Sequence, residues 1–204
     1  MKKIYLVMTL VCMMMVSCKP DGGDGKHEGH EYVDLGLRVK WATRNIGANS
    51  PEEYGQYFAW GETTTKAEYT EKICTTYGKT MNDIAGNAQY DAATANWGGD
   101  WRMPTTAEMQ ELVNKCIWDW TTQNGVNGYK VTGPSGASIF LPAAGRRYGS
   151  SLYNAGNIGY YLSSTPYKNY DGNVAYFLCF DSSSHSMYNF GSRDFGQSVR
   201  PILE

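Results

Sequence analysis

The sequence contains little that a nucleic-acid-binding, zinc or redox protein requires. Its 18 lysine and arginine residues are balanced by 20 aspartate and glutamate residues, and the formal net charge is −2. A nucleic-acid interface needs a basic patch, so this balance argues against nucleic acid as a partner. Only three histidines occur and no two cysteines form a Cys-x-x-Cys pair, which leaves zinc and dithiol chemistry without their usual ligands.

An apolar run occurs at the N-terminus, and it is too short to cross a bilayer comfortably. Lys2 and Lys3 precede this run, which covers Ile4–Val16. A basic start, a short apolar core and a small residue before the cleavage point are typical of a secretory signal. We therefore expect residues 1–17 to be a signal peptide.

The end of this run resembles a bacterial lipobox. Cys18 follows Val16 and Ser17, although Met15 replaces the commoner leucine. The resemblance implies that Cys18 is the lipidation site and that its lipid attaches the protein to the outer membrane of the cell envelope. A secreted protein without a lipid is the alternative.

The segment after Cys18 has no apolar side chains to bury. Residues 19–31 are "KPDGGDGKHEGHE", and this composition predicts a flexible tether over 18–31. His27 and His30 are too few for a metal site in such a segment, so we expect no bound metal. The acidic tether favours exposure at the cell surface over a periplasmic position.

A single domain is expected over 32–204, with three cysteines. Because Cys74, Cys116 and Cys179 are an odd number, at most one disulfide forms. The apolar neighbours of Cys116 and Cys179 favour buried thiols. Which of the three pair, if any, stays open.

Local patterns predict the first elements of this domain. Alternating apolar residues over 33–41 predict one half-buried strand. Ser50 and Pro51 favour a short helix start, and Asp91 with Gly98–Gly99 favours a second short helix.

The segment "WRMPTTAEMQEL" predicts the main helix. Thr105 and Glu108 have the spacing of a capping box, and apolar residues continue at helical spacing to Trp120, so we expect an amphipathic helix over about 105–120. Arg102 is expected to hold a carboxylate or loop carbonyls through its planar fork. Beyond the helix, two strands around a Gly133–Gly136 turn and several shorter strands are expected.

Several motifs together resemble the Fibrobacter succinogenes major paralogous domain family. They are "VDLGLRVKWATRNIGA", "YFAWGE", "NWGGDWRMPTTAEMQEL", "FLPAAG", "YYLSSTPY", "AYFLCF" and "GQSVRPI", and they extend from Tyr32 to Ile202. The resemblance implies an α+β, C-type lectin-like or formylglycine-generating-enzyme-like fold. In such a fold the N- and C-terminal strands pair, and long loops extend from small twisted antiparallel sheets. Arg44 stands where many relatives have a cysteine.

The resemblance does not extend to catalytic or calcium-binding motifs. Formylglycine-generating enzymes need a cysteine pair near the C-terminus, but Cys179 is alone there and has no neighbouring base. The sequence also lacks the Glu-Pro-Asn, Gln-Pro-Asp and Trp-Asn-Asp triplets of calcium-dependent lectins. We therefore expect neither an enzyme nor a cofactor.

Two C-terminal loops have the composition of binding loops. Tyrosine gives a large contact area at low entropic cost, while serine, glycine and asparagine adapt their hydrogen bonds. The alternative is that many of these residues are ordinary strand-edge aromatics and polar turns. The candidate ligand-binding residues are Tyr167, Asn169, Tyr170, Ser184, His185, Tyr188, Asn189, Phe190, Ser192 and Asp194.

The sequence thus predicts a lipid-anchored surface protein that binds a glycan or a protein without catalysis. The alternatives are a structural component of an envelope complex and, less favoured, a formylglycine-generating type of enzyme. Retroelement-diversified proteins with lectin-like folds resemble this arrangement of C-terminal loops, and flanking DNA is needed to test that interpretation. Arg146 and Arg147 are expected to be structural rather than to hold an anionic ligand.

Overall fold

The protein combines small antiparallel sheets with few helices, in a computed structural model that describes residues 25–168 and 170–204. About 38% of the chain is strand and 11% is helix, which is an α+β composition. No helix in the described ranges is long and apolar enough to cross a membrane. The predicted signal peptide, the lipidation site Cys18 and Asn169 lie outside these ranges.

The chain forms mostly short strands, and two α-helices lie between the third and the fourth strand. The helices are α1 (Ala92–Trp97) and α2 (Thr106–Lys115), and a 3-10 turn covers Glu71–Ile73. The strands are β1 (Gly25–His27), β2 (His30–Val33), β3 (Lys40–Ala42), β4 (Ile117–Gln123), β5 (Val126–Thr132), β6 (Ser138–Pro142), β7 (Arg146–Tyr148), β8 (Ser151–Tyr153), β9 (Gly159–Pro166), β10 (Val174–Phe180), β11 (His185–Ser192) and β12 (Ile202–Leu203).

The first sheet joins both ends of the described chain in the order β1-β2-β3-β12. Ile202 pairs with Trp41, so the N- and C-terminal strands are neighbours, as the resemblance implies. The flexible tether predicted over 18–31 is wrong for residues 25–31, because β1 and β2 form a hairpin there. Glu28 and Gly29 have positive φ and make its turn, and the imidazole of His30 stacks on Trp97 with centroids 3.8 Å apart.

The single strand predicted over 33–41 is also wrong. Its ends form β2 and β3, which pair antiparallel, and the residues between them form the connection. Gly36 has a φ of +74°, a left-handed conformation that a strand does not allow. Leu35 and Val39 are nevertheless buried, so the alternation predicted the core residues but not the turn.

Helix α1 begins and ends as predicted, whereas the helix predicted after Ser50 is absent. The Asp91 carboxylate caps α1 by accepting hydrogen bonds from the amides of Ala93 and Thr94. After Ser50 the chain forms turns, and Gly55 has a φ of +73°. This conformation returns the chain to Ile46, whose carbonyl accepts a hydrogen bond from the next amide.

Helix α2 has the predicted capping box but ends five residues early. Thr105 accepts a hydrogen bond from the Glu108 amide, and the Glu108 carboxylate accepts one from the Thr105 amide. The helix ends at Lys115 because Cys116 is extended, and the next residues pair with β5. Trp118 and Trp120 then alternate along β4 against Tyr129, which a continued helix would not permit.

The largest core lies between α2, the β4-β5-β6 sheet and the β9-β10-β11 sheet. The turn predicted at Gly133–Gly136 does join β5 and β6, which pair in register. Phe180 and Tyr161 from one sheet stack with centroids 5.7 Å apart, and Phe180 meets Tyr129 of the other at 5.4 Å. These ring contacts join the two sheets.

Arg102 has the structural role that the sequence predicts. Its Nη1 and Nη2 donate to the two carboxylate oxygens of Glu108 at 2.9 and 2.7 Å. Nη2 also donates to Glu204 at 2.8 Å, which ties α2 to the C-terminus. Trp101 beside it is buried and meets Trp97 edge to face at 5.0 Å.

Residues 193–203, called the central segment here, cross the interior and join the separate sheets. Arg200 in this segment is fully buried. Its Nε donates to the Asn45 side chain at 2.9 Å, Nη1 to the Ala42 carbonyl at 3.1 Å and Nη2 to the Phe140 carbonyl at 2.9 Å. One side chain therefore satisfies three buried acceptors from two parts of the chain that are distant in sequence, residues 42–45 and Phe140.

Replacement of Arg200 by methionine should strongly destabilise the protein. The change leaves three buried acceptors without a donor, at roughly 1–3 kcal/mol each, partly offset by removal of a buried charge. We expect the free energy of unfolding to fall by about 3 kcal/mol or more, as measured by urea denaturation. The exposed Arg38→Met control should lose less than about 1 kcal/mol, and equal losses in both variants would contradict the assignment.

The Arg102–Glu108 pair should make stability depend on acidic pH. Burial raises the pKa of Glu108, but hydrogen bonds from Arg102 and Thr105 outweigh it, and the pKa lies below its usual 4.5. The stabilisation is therefore present above pH 4.5 and is lost as pH falls through the folded-state pKa.

Glu108→Gln should be less stable than the wild type by about 1–3 kcal/mol at neutral pH, and this difference should shrink towards pH ~3. Urea denaturation across this pH range measures it, with Glu68→Gln as an exposed control. A difference independent of pH would show that Glu108 acts through packing alone.

Candidate functional site

Four aromatic rings form a cluster where β9 ends, β10 begins and β11 ends. Tyr167 lies at the centre, with ring centroids 6.0 Å from Tyr170, 5.3 Å from Tyr176 and 5.8 Å from Phe190. Tyr170 and Phe190 meet edge to face at 5.2 Å. These two rings are 48% and 58% exposed, so the cluster presents aromatic surface to solvent.

A β-bulge places Phe190 in this aromatic cluster. Ala175 pairs with Gly191 and Phe177 with Tyr188. Tyr176 alone therefore faces two residues of β11, Asn189 and Phe190. A bulge of this kind redirects side chains that simple alternation would place elsewhere, so Phe190 and Tyr176 come to lie against the same tyrosine.

A pocket of about 230 Å³ adjoins the cluster and shares Tyr167 with it. Lys168, Asp171 and Arg193 line this side pocket together with the segment 80–82. It is smaller than the roughly 300–1,000 Å³ of sites for drug-sized ligands. It has room for one substituent of a ligand that lies on the aromatic cluster.

Arg193 is the structural centre of the side pocket. Its Nε donates to the Val174 carbonyl at 3.2 Å, and Nη1 donates to the carbonyls of Thr76 and Lys79 at 3.2 and 2.8 Å. The guanidinium also lies over the ring of Trp60, 4.1 Å from its centroid. The side chain is only 1% exposed, and burial lowers its pKa to about 10.

The loop between β9 and β10 is held against a second loop that Arg193 also contacts. The Gly78 amide donates to the Gly172 carbonyl at 3.2 Å, and the Asn173 amide closes a turn onto Tyr170 at 2.7 Å. Gly172 has a φ of +77°, and a Cβ there would collide with the backbone of Lys79. Only glycine permits this close approach, which shapes one wall of the side pocket.

Tyr188 was expected in the same binding surface, but its ring contacts Phe177 rather than the four rings of the aromatic cluster. Its ring stacks on Phe177 at 5.7 Å, and Phe177 in turn lies 6.1 Å from Tyr160. The Arg146 guanidinium covers Tyr160 at 4.8 Å and Phe195 at 4.5 Å. Arg146 thus has the structural role that was predicted for it.

Ser184 and His185 lie at the opposite end of the sheet from the aromatic cluster. The Ser184 amide donates to the Asp181 carboxylate at 3.0 Å and closes the β10–β11 turn. His185 stacks on Trp118 at 4.5 Å, and burial lowers its pKa. Since β10 is seven residues long, roughly 20 Å of strand separates this turn from Phe190. Neither residue can join one compact site with the cluster.

Ser192 and Asp194 are bonded to each other rather than displayed to a ligand. The Ser192 hydroxyl donates to the Asp194 carboxylate. Asp194 is buried, and that burial raises its pKa. Asn189 is half-buried beside Phe190 in the bulge, while Asn169 lies outside the described residues. The cluster therefore includes Tyr167, Tyr170 and Phe190 from the predicted set, with Asn189 adjacent.

The thiols and imidazoles do not form an activated group in the described ranges. Cys74, Cys116 and Cys179 are unpaired there, and burial raises the pKa of Cys116 and of Cys179 to about 11. In the same part of the chain, no three histidine, cysteine, aspartate or glutamate residues converge as metal ligands. His27 is tilted against Trp101, with centroids 6.2 Å apart.

Sequence reasoning missed Tyr176, Lys168, Asp171 and Arg193. Tyr176 alternates with buried strand residues, and this pattern gives no sign of the bulge beside it. Arg193 sits in a polar stretch, and its partners Thr76 and Lys79 are more than a hundred residues away. Lys168 and Asp171 lie in the same loop as Tyr170, which the sequence analysis predicted as a binding residue. That prediction was the available signal for these two residues.

Substitution of Gly172 tests how closely the two loops approach. Gly172→Ala adds both left-handed strain and a collision with Lys79, whereas Gly136→Ala adds strain only, because open space surrounds Gly136 at a φ of +84°. Strain costs about 1–2 kcal/mol, and the collision should add roughly 1–3 kcal/mol to Gly172→Ala alone. Denaturant unfolding measures both, and equal losses would contradict the packed arrangement of the loops.

Comparison with protein-family models, with curated proteins and with solved structures found no match to the chain. The contacts, burial and charges of the aromatic cluster and the side pocket are therefore the basis on which a function is assigned.

Proposed function

We propose that the protein is a non-catalytic binding protein of the cell envelope, and that the aromatic cluster holds a saccharide. In this proposal Cys18 carries the lipid that anchors the chain to the outer membrane, with the domain at the cell surface. The sequence resemblance to a lipobox supports the anchor. The exposed rings of the aromatic cluster support the binding function.

The observation that carries the proposal is the exposure of Tyr170 and Phe190 in one packed group. Both rings have aromatic neighbours on one side and solvent on the other. Contiguous exposed apolar surface on a soluble domain commonly marks an interaction site. Because Tyr167 holds both rings in place, little side-chain entropy remains to be lost when a ligand binds.

A saccharide suits this surface better than a wholly apolar ligand. A pyranose ring has apolar C–H faces and a rim of hydroxyl groups. Its faces can pack on exposed aromatic rings, while the rim can bond to polar groups beside them. Asn189, Lys168 and the side pocket supply such groups next to the cluster.

The raised thiol pKa values support a non-catalytic function. With a pKa of about 11, the Cys179 thiol is protonated at neutral pH and is a poor nucleophile. His185 is stacked on Trp118, away from the aromatic cluster. Neither residue supplies the activated nucleophile and base that a formylglycine-generating type of enzyme would need.

The C-type lectin-like fold and the Fibrobacter succinogenes major paralogous domain family remain part of the proposal. Pairing of β3 with β12 supports that fold, since it joins the chain ends in one sheet. The loop between β9 and β10, which carries Tyr170, extends from a small antiparallel sheet as the fold implies. The interpretation that a retroelement diversifies the C-terminal loops is tested by the flanking DNA sequence.

A structural role in an envelope complex is the second candidate. The β7–β8 hairpin exposes Tyr148, Leu152 and Tyr153, and Tyr148 packs edge to face on Phe195 at 5.3 Å. Exposed aromatic residues are enriched at protein interfaces, so this hairpin would serve as the docking surface for a partner protein. This hairpin shares no residue with the aromatic cluster, so variants can distinguish the two functions.

Removal of the two exposed rings should weaken saccharide binding strongly without unfolding the protein. The intact chain is screened on a glycan array, and dissociation constants of the hits are measured by titration calorimetry. Tyr170→Ala/Phe190→Ala should bind roughly tenfold more weakly or worse, since each aromatic contact contributes about 0.5–1.5 kcal/mol.

Tyr153→Ala removes an equally exposed ring outside the cluster and should leave affinity unchanged. Loss of binding in Tyr153→Ala alone would move the site to the hairpin. An array without hits, together with capture of an envelope protein that depends on Tyr153, would favour the assembly role.

A further inference from the structure

We propose that the side pocket binds the carboxylate of an acidic saccharide, with Arg193 as its receptor. This inference rests on the proposed function and adds the substrate class, a saccharide that contains uronic acid. The aromatic cluster would hold a sugar ring while the pocket beside Tyr167 takes the charged substituent.

Counting hydrogen-bond donors leaves one terminal nitrogen of Arg193, Nη2, without an acceptor among the described residues. A guanidinium has five N–H donors, one on Nε and two on each terminal nitrogen. Three of them meet the carbonyls of Val174, Thr76 and Lys79. Nη2 donates to no residue in the described ranges, so both of its N–H groups remain for an anion.

The charge of Arg193 is also uncompensated. No carboxylate lies within ion-pair distance of it among the described residues, whereas Arg102 meets both Glu108 and Glu204. Its three partners are neutral carbonyls, and the Trp60 ring gives a weaker attraction. A buried cation without an anion is unfavourable, and a bound carboxylate would remove that cost.

The other charges of the side pocket favour a single anion. Lys168 adds a second cation to the lining and Asp171 adds one carboxylate, which leaves a formal excess of one positive charge together with Arg193. Asp194 follows Arg193 in sequence, but its carboxylate accepts from Ser192. A ligand with one carboxylate per sugar matches this balance.

The geometry of the pocket is fixed before a ligand arrives. Arg193 bonds to the chain at Thr76, Lys79 and Val174, and Gly172 packs directly on Lys79. A donor held in place by such contacts loses little entropy when it binds. The lowered pKa of Arg193, about 10, still leaves it charged at neutral pH.

The test compares trigalacturonate with its methyl ester, which has the same sugar rings without the charge. Affinities for the intact chain are measured by titration calorimetry at low ionic strength. We expect the acid to bind about tenfold more tightly than the ester, and this preference should fall in 0.5 M salt.

Two variants separate the pocket from the fold. Lys168 is exposed, so Lys168→Gln should fold normally and reduce the preference for the acid. Arg193→Lys keeps the charge but loses the planar fork, and it should abolish the preference, with folding checked by circular dichroism. Tyr153→Ala is the control and should retain it.

Each outcome is decisive for one of the two proposals. Equal affinity for acid and ester, with binding still dependent on Tyr170 and Phe190, would overturn the carboxylate pocket and leave saccharide binding intact. Preference for a polyglutamate peptide over trigalacturonate would overturn the saccharide and indicate an acidic protein partner.

If no saccharide binds, the proposed function fails and acetate tests the pocket by itself. Acetate at constant ionic strength should shift the Arg193 Nε–H signal in an NMR titration, and sulfate should shift it less. An unchanged signal would overturn the pocket as an anion site.

Discussion

The hydrogen bonds of the central segment are the constraint on which the separate sheets depend. Each sheet is small, and the β7-β8 sheet has only two strands, which is too few for independent stability. Residues 193–203 cross between them and exchange backbone hydrogen bonds with the β1-β2-β3-β12, β7-β8 and β9-β10-β11 sheets. The Arg200 side chain reaches the β4-β5-β6 sheet at the Phe140 carbonyl. The residues that donate amides to this segment are Ala42, Ile46, Phe58, Trp60, Arg102, Arg147 and Leu162.

Two buried arginines lie near the ends of this segment and serve different purposes. At Arg200 each guanidinium nitrogen donates to a described acceptor, so the side chain completes the core. At Arg193, Nη2 has no acceptor among the described residues, and the side chain lines a pocket. The same chain segment therefore holds the fold together and places a cation beside the aromatic cluster.

Local signals in the sequence predicted the features that depend on neighbouring residues. The capping box at Thr105 and Glu108 and the cap at Asp91 were confirmed because their partners are a few residues away. The early end of α2 and the bulge opposite Tyr176 were not predictable, since pairing with distant strands decides them. The candidate site divides in the same way: composition indicated its aromatic rings, whereas Arg193 depends on contacts with remote loops.

The most direct measurement is an NMR map of the residues that respond to trigalacturonate. If a saccharide lies on the aromatic cluster with its carboxylate in the side pocket, the ring signals of Tyr170 and Phe190 and the Nε–H signal of Arg193 should shift together and saturate at one concentration. Signals of Tyr153 and His185 should stay unchanged. Shifts confined to the β7–β8 hairpin, or no shifts at all, would contradict the account.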